Sequence, residues 1–280
     1  MKKVVPLWRK YNNARIKMLD SLVKIVIEAS KLMPTDNFRI SQKDGEANIV
    51  TSSDIAVQDF LCQRLGVLLP GCGFLCEEED AHDLSHEYVW IIDPIDGTAN
   101  YSRGIRECAI CVGLKHGPSM ELAAVYLPYT DELFTAQRGK GAFLHHPQSG
   151  KPSKPIHVSN RPFADSIMCT ALPVYHKEYA PVCAQIIRDV FVQCNDIRRF
   201  GAAAAELCYL AMGRCELYFE YLLSPWDFAA ASLILEEAGG VLCNREGQPL
   251  DKTKPSGCLA ANSQENLNRL VKCVAGVALI

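Results

Sequence analysis

The sequence predicts an N-terminal α+β half followed by a C-terminal α/β half, with helices layered on sheets. Two observations carry this prediction. Before residue 150, two helix patterns precede short apolar runs separated by Gly, Pro and Asp turns, which is typical of helices packed against a sheet. Beyond it, strand-like and helix-like patterns alternate, which indicates α/β layering.

The N-terminal half begins with two predicted helices, which are followed by a series of short strands. From Ile16 to Ser30, apolar residues recur three and four apart, which predicts an amphipathic helix that ends near Pro34. Caps at Ser52–Asp54 begin a second helix, which reaches to about Leu69. Strands are predicted at 74–75, 88–92, 109–114, 122–127, 132–137 and 141–144.

Residues 145–155 are rich in Pro, Ser and Gly and are interpreted as a linker. We therefore predict a division into residues 1–150 and 151–280. In the second half, strands are predicted at 167–171, 195–200 and 216–221, and helices at 181–192, 202–212 and 228–238.

Composition and charge exclude several classes of function. The formal net charge is −3 with a pI near 6.2, and no basic stripe stands out, which argues against a nucleic-acid partner. The N-terminus has too short an apolar run for a signal sequence or a membrane span, so we expect a cytoplasmic protein without a membrane partner.

Thirteen cysteines, an odd number without an export signal, indicate reduced thiols that pack as small hydrophobes. A C-x-x-C spacing, which can mark a redox or zinc site, occurs at Cys108 and Cys111. Residues three apart on a strand face opposite sides, so we predict that both belong to the core.

The string "IIDPIDGTANY" at 91–101 is the most informative segment for chemistry. An apolar strand delivers Asp93 and Asp96, whose charges repel unless a cation joins them. The turn at Gly97–Thr98 offers backbone N–H groups that can bind an anion. The plain alternative is that Asp96–Gly97 is a turn and Asp93 a helix cap.

Two further segments add carboxylates. An acid block at 77–80 follows a short strand, and "SPWD" at 224–227 places Asp227 beside a predicted helix start. Oxygen-only clusters suit Mg²⁺, whereas thiol and imidazole ligands suit zinc. The alternatives are a solvated loop for the block and a capping box for Asp227.

These strings together resemble the inositol monophosphatase family of Mg²⁺-dependent, lithium-sensitive sugar phosphatases, in its bacterial type. The matching motifs lie between about residues 40 and 245. The resemblance implies a layered αβαβα sandwich, the sugar phosphatase fold, with the active site in a cleft between the halves, and a homodimer. The motifs are Lys43 with "NIVTSSD", "GFLCEEE", "DPIDGTANY", "FGAAAAELCYLAMGRCELYFE" and "SPWDFAAASLILEEAGG".

The resemblance also implies roles for individual residues. Two or three Mg²⁺ ions would be held mainly by the N-terminal half, and a water activated by metal would attack phosphorus directly. Glu77 and Thr98 would orient and deprotonate that water, and Asp54 would support them. Which of Glu77, Glu78 and Glu79 is the ligand depends on the register. The metal ligands would be Glu77, Asp93, Asp96, Asp227 and the carbonyl of Ile95.

Substrate contacts are implied in the same way. Gly97 and Thr98 would hold the phosphate. The alcohol part would be bound by the C-terminal half, where Glu220 accepts hydrogen bonds from sugar or inositol hydroxyls. The substrate-side residues of that half would be Gly201, Ala202, Ala203, Glu220 and Asp227.

We therefore predict a phosphate monoester hydrolase with inositol-1-phosphate as its ester. Fructose 1,6-bisphosphate and histidinol phosphate remain alternatives on the same core, because Ala99, Tyr101 and "YLLSP" at 221–225 depart from the family pattern. An alternative of another class is a catalytically silent module that binds metal and phosphate in a regulatory role.

Overall fold

Helices and strands alternate along the chain in a computed structural model, which describes residues 7–34, 38–42, 49–79 and 82–277, with side chains from Lys17 onwards except that of Gln42. Lys43 of the first motif lies outside these residues. In the described part of the chain, the helices are α1 (Leu7–Ala29), α2 (Ser52–Leu68), α3 (Thr98–Tyr101), α4 (Ala180–Phe191), α5 (Ala203–Ala211), α6 (Pro225–Glu237) and α7 (Gln264–Ala275).

Fourteen strands are present in the same residues. A small antiparallel pair consists of β1 and β2. The strands are β1 (Ile40–Gln42), β2 (Ile49–Thr51), β3 (Gly73–Cys76), β4 (Tyr88–Asp96), β5 (Ala109–His116), β6 (Ser119–Leu127), β7 (Glu132–Gln137), β8 (Ala142–His146), β9 (Lys151–Ile156), β10 (Ile167–Ala171), β11 (Asp196–Arg198), β12 (Leu217–Leu223), β13 (Val241–Cys243) and β14 (Ser256–Ala261).

Two larger sheets and three helix pairs form five layers. The first sheet has seven strands in the order β3 to β9, antiparallel except that β3 runs parallel to β4. The second has five strands in the order β11-β10-β12-β14-β13. Helices α1 and α2 cover one face of the first sheet, α5 and α6 lie between the sheets, and α4 and α7 cover the far face of the second. This confirms the predicted αβαβα sandwich.

Alternation along β4 assigns each side chain to a layer. Val89 and Ile91 pack in the core cluster that contains α5 and α6. Trp90 and Ile92 pack in the cluster that contains α1 and α2. Because strand side chains alternate between faces, the next residue, Asp93, points toward the middle helices.

The predicted linker at 145–155 is wrong in one respect. Lys151–Ile156 forms strand β9 and pairs antiparallel with β8, so the segment is a hairpin on the first sheet. This edge strand is almost entirely exposed and carries Pro152 and Pro155, so its sequence lacks the apolar alternation that marks a strand. The division at residue 150 stays a prediction.

The prediction that Cys108 and Cys111 belong to the core is confirmed. All thirteen thiols are free. Cys108 and Cys111 are buried in different core clusters, on opposite faces of the first sheet. No helix in the described ranges is long and apolar enough to cross a membrane.

A buried glutamate fixes the turn that leads into α5. Glu206 is only 1% exposed, and its Oε1 accepts hydrogen bonds from the backbone N–H groups of Phe200 and Gly201 at 2.6 and 2.9 Å. Its Oε2 has no hydrogen-bond partner. From the other side, Asn100 Nδ2 donates to the Phe200 carbonyl at 2.7 Å. The turn is therefore held between α3 and α5.

Burial raises the pKa of Glu206 to about 8. A carboxyl whose pKa is raised by folding binds its proton more tightly in the folded state, so this group lowers stability as the pH rises from its unfolded value through about 8. Glu206→Gln keeps an acceptor for the two N–H groups and cannot ionise.

We expect the free energy of unfolding of the wild type to fall relative to Glu206→Gln between about pH 5 and pH 8, by at most about 1.4 kcal/mol per pH unit. Urea unfolding across this range measures the difference. The exposed Glu265→Gln is the matched control and should follow the wild type. Parallel curves for wild type and Glu206→Gln would contradict the prediction.

Candidate active site

An irregularity in β4 brings Asp93 and Asp96 to the same face of the sheet. Asp93 pairs with Cys111 and Asp96 with Ala109, so three steps along β4 match two along β5. Directly opposed residues of an antiparallel pair point to the same side, and Cys111 and Ala109 both face the middle helices. The extra residue is a bulge, and it turns both carboxylates toward α5 and α6.

Asp96 is held by the start of α5. Its carboxylate accepts hydrogen bonds from the backbone N–H groups of Ala203 and Ala204 at 3.0 and 2.8 Å, and of Ala205 at 3.4 Å. Burial raises the pKa of Asp96 to about 6, and the three amides act in the opposite direction. Because these N–H groups lie in the first turn of α5, the helix dipole also favours the charged form.

Asp93 has less support. It is 1% exposed, and its Oδ1 has no hydrogen-bond partner. Burial raises the pKa of Asp93 well above its usual range, and the charges of Glu77, Asp96 and Asp227 raise it further. The structure thus gathers four predicted metal ligands into one region of negative charge.

Glu77 lies beside Asp93 because of the parallel pairing of β3 and β4. Cys76 is the register partner of Ile92, so the next residues on the two strands are Glu77 and Asp93. The Glu77 N–H donates to the Ile92 carbonyl at 3.2 Å. Of the three consecutive glutamates, Glu77 is the one whose charge raises the pKa of both Asp93 and Asp227. This supports Glu77 as the ligand.

Asp227 stands in the first turn of α6, as predicted from "SPWD". Ser224 is the N-cap, Pro225 opens the helix, and the Ser224 N–H donates to Asp227 Oδ2 at 2.7 Å. Burial, followed by the charge of Glu77, raises the pKa of Asp227 well above its usual range. His82 lies on the loop that follows Glu77, and the centre of its ring is 6.0 Å from the centre of the Trp226 ring on α6. Helix α6 therefore contacts that loop.

The Thr98 hydroxyl lies between Asp54 and Ile95. Thr98 Oγ1 is 3.1 Å from Asp54 Oδ1 and 3.0 Å from the Ile95 carbonyl, and it donates its proton to these acceptors. Asp54 is buried and closes the capping box of α2 with Thr51. Burial raises the pKa of Asp54. Asp54 therefore holds the Thr98 hydroxyl in place, while its supporting role in catalysis stays a prediction.

The predicted substrate contacts on the two halves lie close together. Gly97 has a φ of +87°, and a Cβ there would lie 2.9 Å from the Glu107 carbonyl and 3.2 Å from both Ala202 Cβ and the Gly201 carbonyl. The Ala203 N–H is already bonded to Asp96.

Glu220 lies on β12, where it is 8% exposed. Its carboxylate accepts a hydrogen bond from the Tyr218 hydroxyl at 2.7 Å. Burial raises the pKa of the Glu220 carboxyl to about 7.

The donors fit a hard cation. Among the described residues, the structure contains no group of three or more His, Cys, Asp or Glu side chains that is arranged to hold a metal ion. The fit therefore rests on the chemistry of the donor atoms and on one buried oxygen without a hydrogen bond. Asp93 Oδ1 is buried without a hydrogen bond, which is costly unless a cation binds it. The carboxylates of Glu77, Asp93, Asp96 and Asp227 are oxygen donors of the kind that Mg²⁺ prefers.

Sequence reasoning missed two residues at the site. Glu206 acts through the turn at Phe200–Gly201, and its role depends on backbone bonds that no motif reports. Tyr175 is 57% exposed, and the pKa of its phenol is raised to about 12 by partial burial and then by the charges of Glu77, Asp227 and Asp93. It follows β10 in an irregular segment, where no periodic signal exists.

Comparison with known proteins places this geometry in one family. The family model described as "Inositol monophosphatase family" matches residues 9–276. A "Nus factor SuhB" from Vibrio cholerae is 34% identical over 223 residues, which are 78% of this chain and 80% of that protein. An "Inositol-1-monophosphatase" from Mesorhizobium japonicum is 31% identical over 243 residues, 84% of this chain and 88% of the relative.

Solved structures agree. The crystal structure of extragenic suppressor protein suhB from Bartonella henselae superposes with a TM-score of 0.82 at 28% identity, covering 92% of this chain and 98% of that chain. A structure of inositol monophosphate bound SaIMPase-II superposes with a TM-score of 0.73 at 26% identity, covering 93% and 92%. With the layered fold and the match over nearly the whole chain, these findings show that the protein belongs to the inositol monophosphatase family.

Proposed function

We propose that this protein hydrolyses phosphate monoesters with the help of two or three Mg²⁺ ions, and that inositol-1-phosphate is its substrate. The observation that carries the proposal is the buried, unpartnered Oδ1 of Asp93, turned by the β4 bulge into a group of carboxylates. Membership of the inositol monophosphatase family supports phosphate ester hydrolysis as the chemistry of this carboxylate group. The relative named "Inositol-1-monophosphatase" supports the choice of inositol-1-phosphate as the substrate.

In the proposed mechanism, Glu77, Asp93, Asp96, Asp227 and the Ile95 carbonyl would hold the ions. When bound, Mg²⁺ lowers the pKa of water and neutralises phosphate charge. The chain's own residues orient the reaction. Thr98 Oγ1, fixed by Asp54, would position the attacking water, and the Glu77 carboxylate would take its proton. Attack would occur directly at phosphorus, so no phosphoenzyme forms.

The N–H groups of Gly97 and Thr98 would hold the phosphate. Glu220 would bind hydroxyls of the alcohol part. Tyr218 already donates to Glu220 Oε2, so we assign Oε1 to a substrate hydroxyl. A site that hydrogen-bonds hydroxyls rejects esters that lack them. The structure named as inositol monophosphate bound supports the polyol choice, while fructose 1,6-bisphosphate and histidinol phosphate are the competing esters.

A second candidate is the silent module that binds metal and phosphate without turnover. The observation in its favour is that several relatives carry the name "Nus factor SuhB". It predicts metal binding without phosphate release. The homodimer and the lithium sensitivity implied by the resemblance also stay predictions.

Asp93→Asn should lower Mg²⁺-dependent phosphate release by roughly 10³-fold, because a neutral amide replaces a charged ligand that supplies several kcal/mol. Release is measured from myo-inositol 1-phosphate, fructose 1,6-bisphosphate and histidinol phosphate, and the preferred ester names the substrate class. Asp59→Asn, the same change at an exposed position of α2, is the control and should retain activity. Release by Asp93→Asn at the wild-type rate would overturn the metal assignment.

Mg²⁺ should raise the melting temperature of the wild type, because an ion that binds only the folded state stabilises it by about 2.7 kcal/mol at 100 times its Kd. Asp93→Asn removes one of the repelling charges, so it should melt higher than the wild type without metal and gain less from Mg²⁺. Differential scanning calorimetry with and without Mg²⁺ measures both effects. A wild-type response without phosphate release from any ester would favour the silent module.

A further inference from the structure

Two thiols lie side by side next to Glu77, the first residue of the acid block at 77–80. Cys62 Sγ on α2 and Cys76 Sγ at the end of β3 are 3.6 Å apart. Bonded sulfurs are separated by about 2.05 Å, so the pair is about 1.5 Å short of a disulfide. The proposed reaction uses neither thiol, and Cys76 directly precedes Glu77.

The two thiols differ in access. Cys62 is partly exposed, whereas Cys76 is fully buried. A small oxidant therefore reaches Cys62 first, and Cys76 stands behind it as the resolving thiol. Redox-sensitive pairs share this feature, an accessible cysteine with a second cysteine next to it.

Neighbouring contacts connect this pair to the backbone of Glu77 and Glu78. Gln58, one turn before Cys62 on α2, accepts the Glu78 N–H through its Oε1 at 2.9 Å. The Glu77 N–H is bonded to the Ile92 carbonyl. If closing the gap between the sulfurs moves Cys76 or α2, these contacts transmit the movement to the backbone that carries Glu77.

We propose that Cys62 and Cys76 form a reversible disulfide when the protein meets hydrogen peroxide, and that this bond displaces Glu77. Slower phosphate release is the expected consequence, and that part rests on the proposed function. A displacement of about 1 Å at a catalytic group can reduce the rate by up to about 100-fold, so a loss on the order of tenfold is expected.

The chemistry balances with peroxide as the oxidant. The Cys62 sulfur attacks a peroxide oxygen, an S–O bond forms, the O–O bond breaks, and the leaving hydroxide takes the thiol proton to become water. The Cys76 sulfur then attacks the Cys62 sulfur, an S–S bond forms, the S–O bond breaks, and the second hydroxide leaves as water with the Cys76 proton. Both sulfurs are oxidised and one peroxide is reduced to two waters.

The test treats the purified full chain with hydrogen peroxide and maps its peptides by mass spectrometry. Trypsin cleaves after Arg64, so a Cys62–Cys76 bond joins two peptides, and fragmentation separates Cys76 from Cys72. We expect this linkage, its loss with dithiothreitol, and a reversible fall in phosphate release. Cys62→Ser should resist the inhibition, whereas Cys194→Ser, at another partly exposed thiol, should not.

Several outcomes would overturn the proposal. One is that peroxide oxidises Cys194 but produces no linkage between Cys62 and Cys76. Another is that Cys62 becomes linked to Cys72 instead. A third is that peroxide inhibits Cys62→Ser as strongly as the wild type. A wild-type linkage that leaves both phosphate release and the Mg²⁺-dependent rise in melting temperature unchanged would refute the displacement of Glu77. If the reduced protein releases no phosphate, the proposed function fails, and the linkage and the Mg²⁺ response still decide this proposal.

Discussion

Repulsion between buried carboxylates is the constraint on which the rest of the site depends. Asp93 and Asp96 are turned to one side by a single extra residue in β4, and Glu77 and Asp227 converge from β3 and α6. The fold compensates each charge differently. The amides of α5 serve Asp96, and the Ser224 N–H serves Asp227, whereas Asp93 Oδ1 has no hydrogen bond at all. Of these three carboxylates, Asp93 is therefore the one whose charge the fold compensates least.

The layering explains why these groups meet. The first sheet contributes Glu77 and Asp93 from adjacent parallel strands, while α5 and α6, packed on its inner face, contribute amides and Asp227. Glu220 comes from the second sheet, on the other side of the same helices. Each half of the chain alone lacks part of this set. A helix layer shared by two sheets is therefore what assembles the site.

Much of this was visible in the sequence because the site residues follow strong local patterns. The apolar run before Asp93 marks a buried strand, and Ser224 with Pro225 marks a helix start, and both elements form as predicted. Contacts across the layers were not visible. The support of the Phe200 turn by Glu206 and the bonds of Asp96 to α5 involve backbone groups, which carry no residue-specific signal. Strand β9 was not predicted because an exposed edge strand lacks the alternating apolar residues that indicate a strand in a sequence.

The two glycines at the floor of the site limit how the protein can diversify. Gly97 and Gly201 both have positive φ, and a side chain at Gly97 would collide with the Glu107 carbonyl. Neither position can accept a new side chain without distorting the backbone. Sequence changes near these two turns are therefore confined to the neighbouring positions, because a side chain at either glycine would strain the backbone.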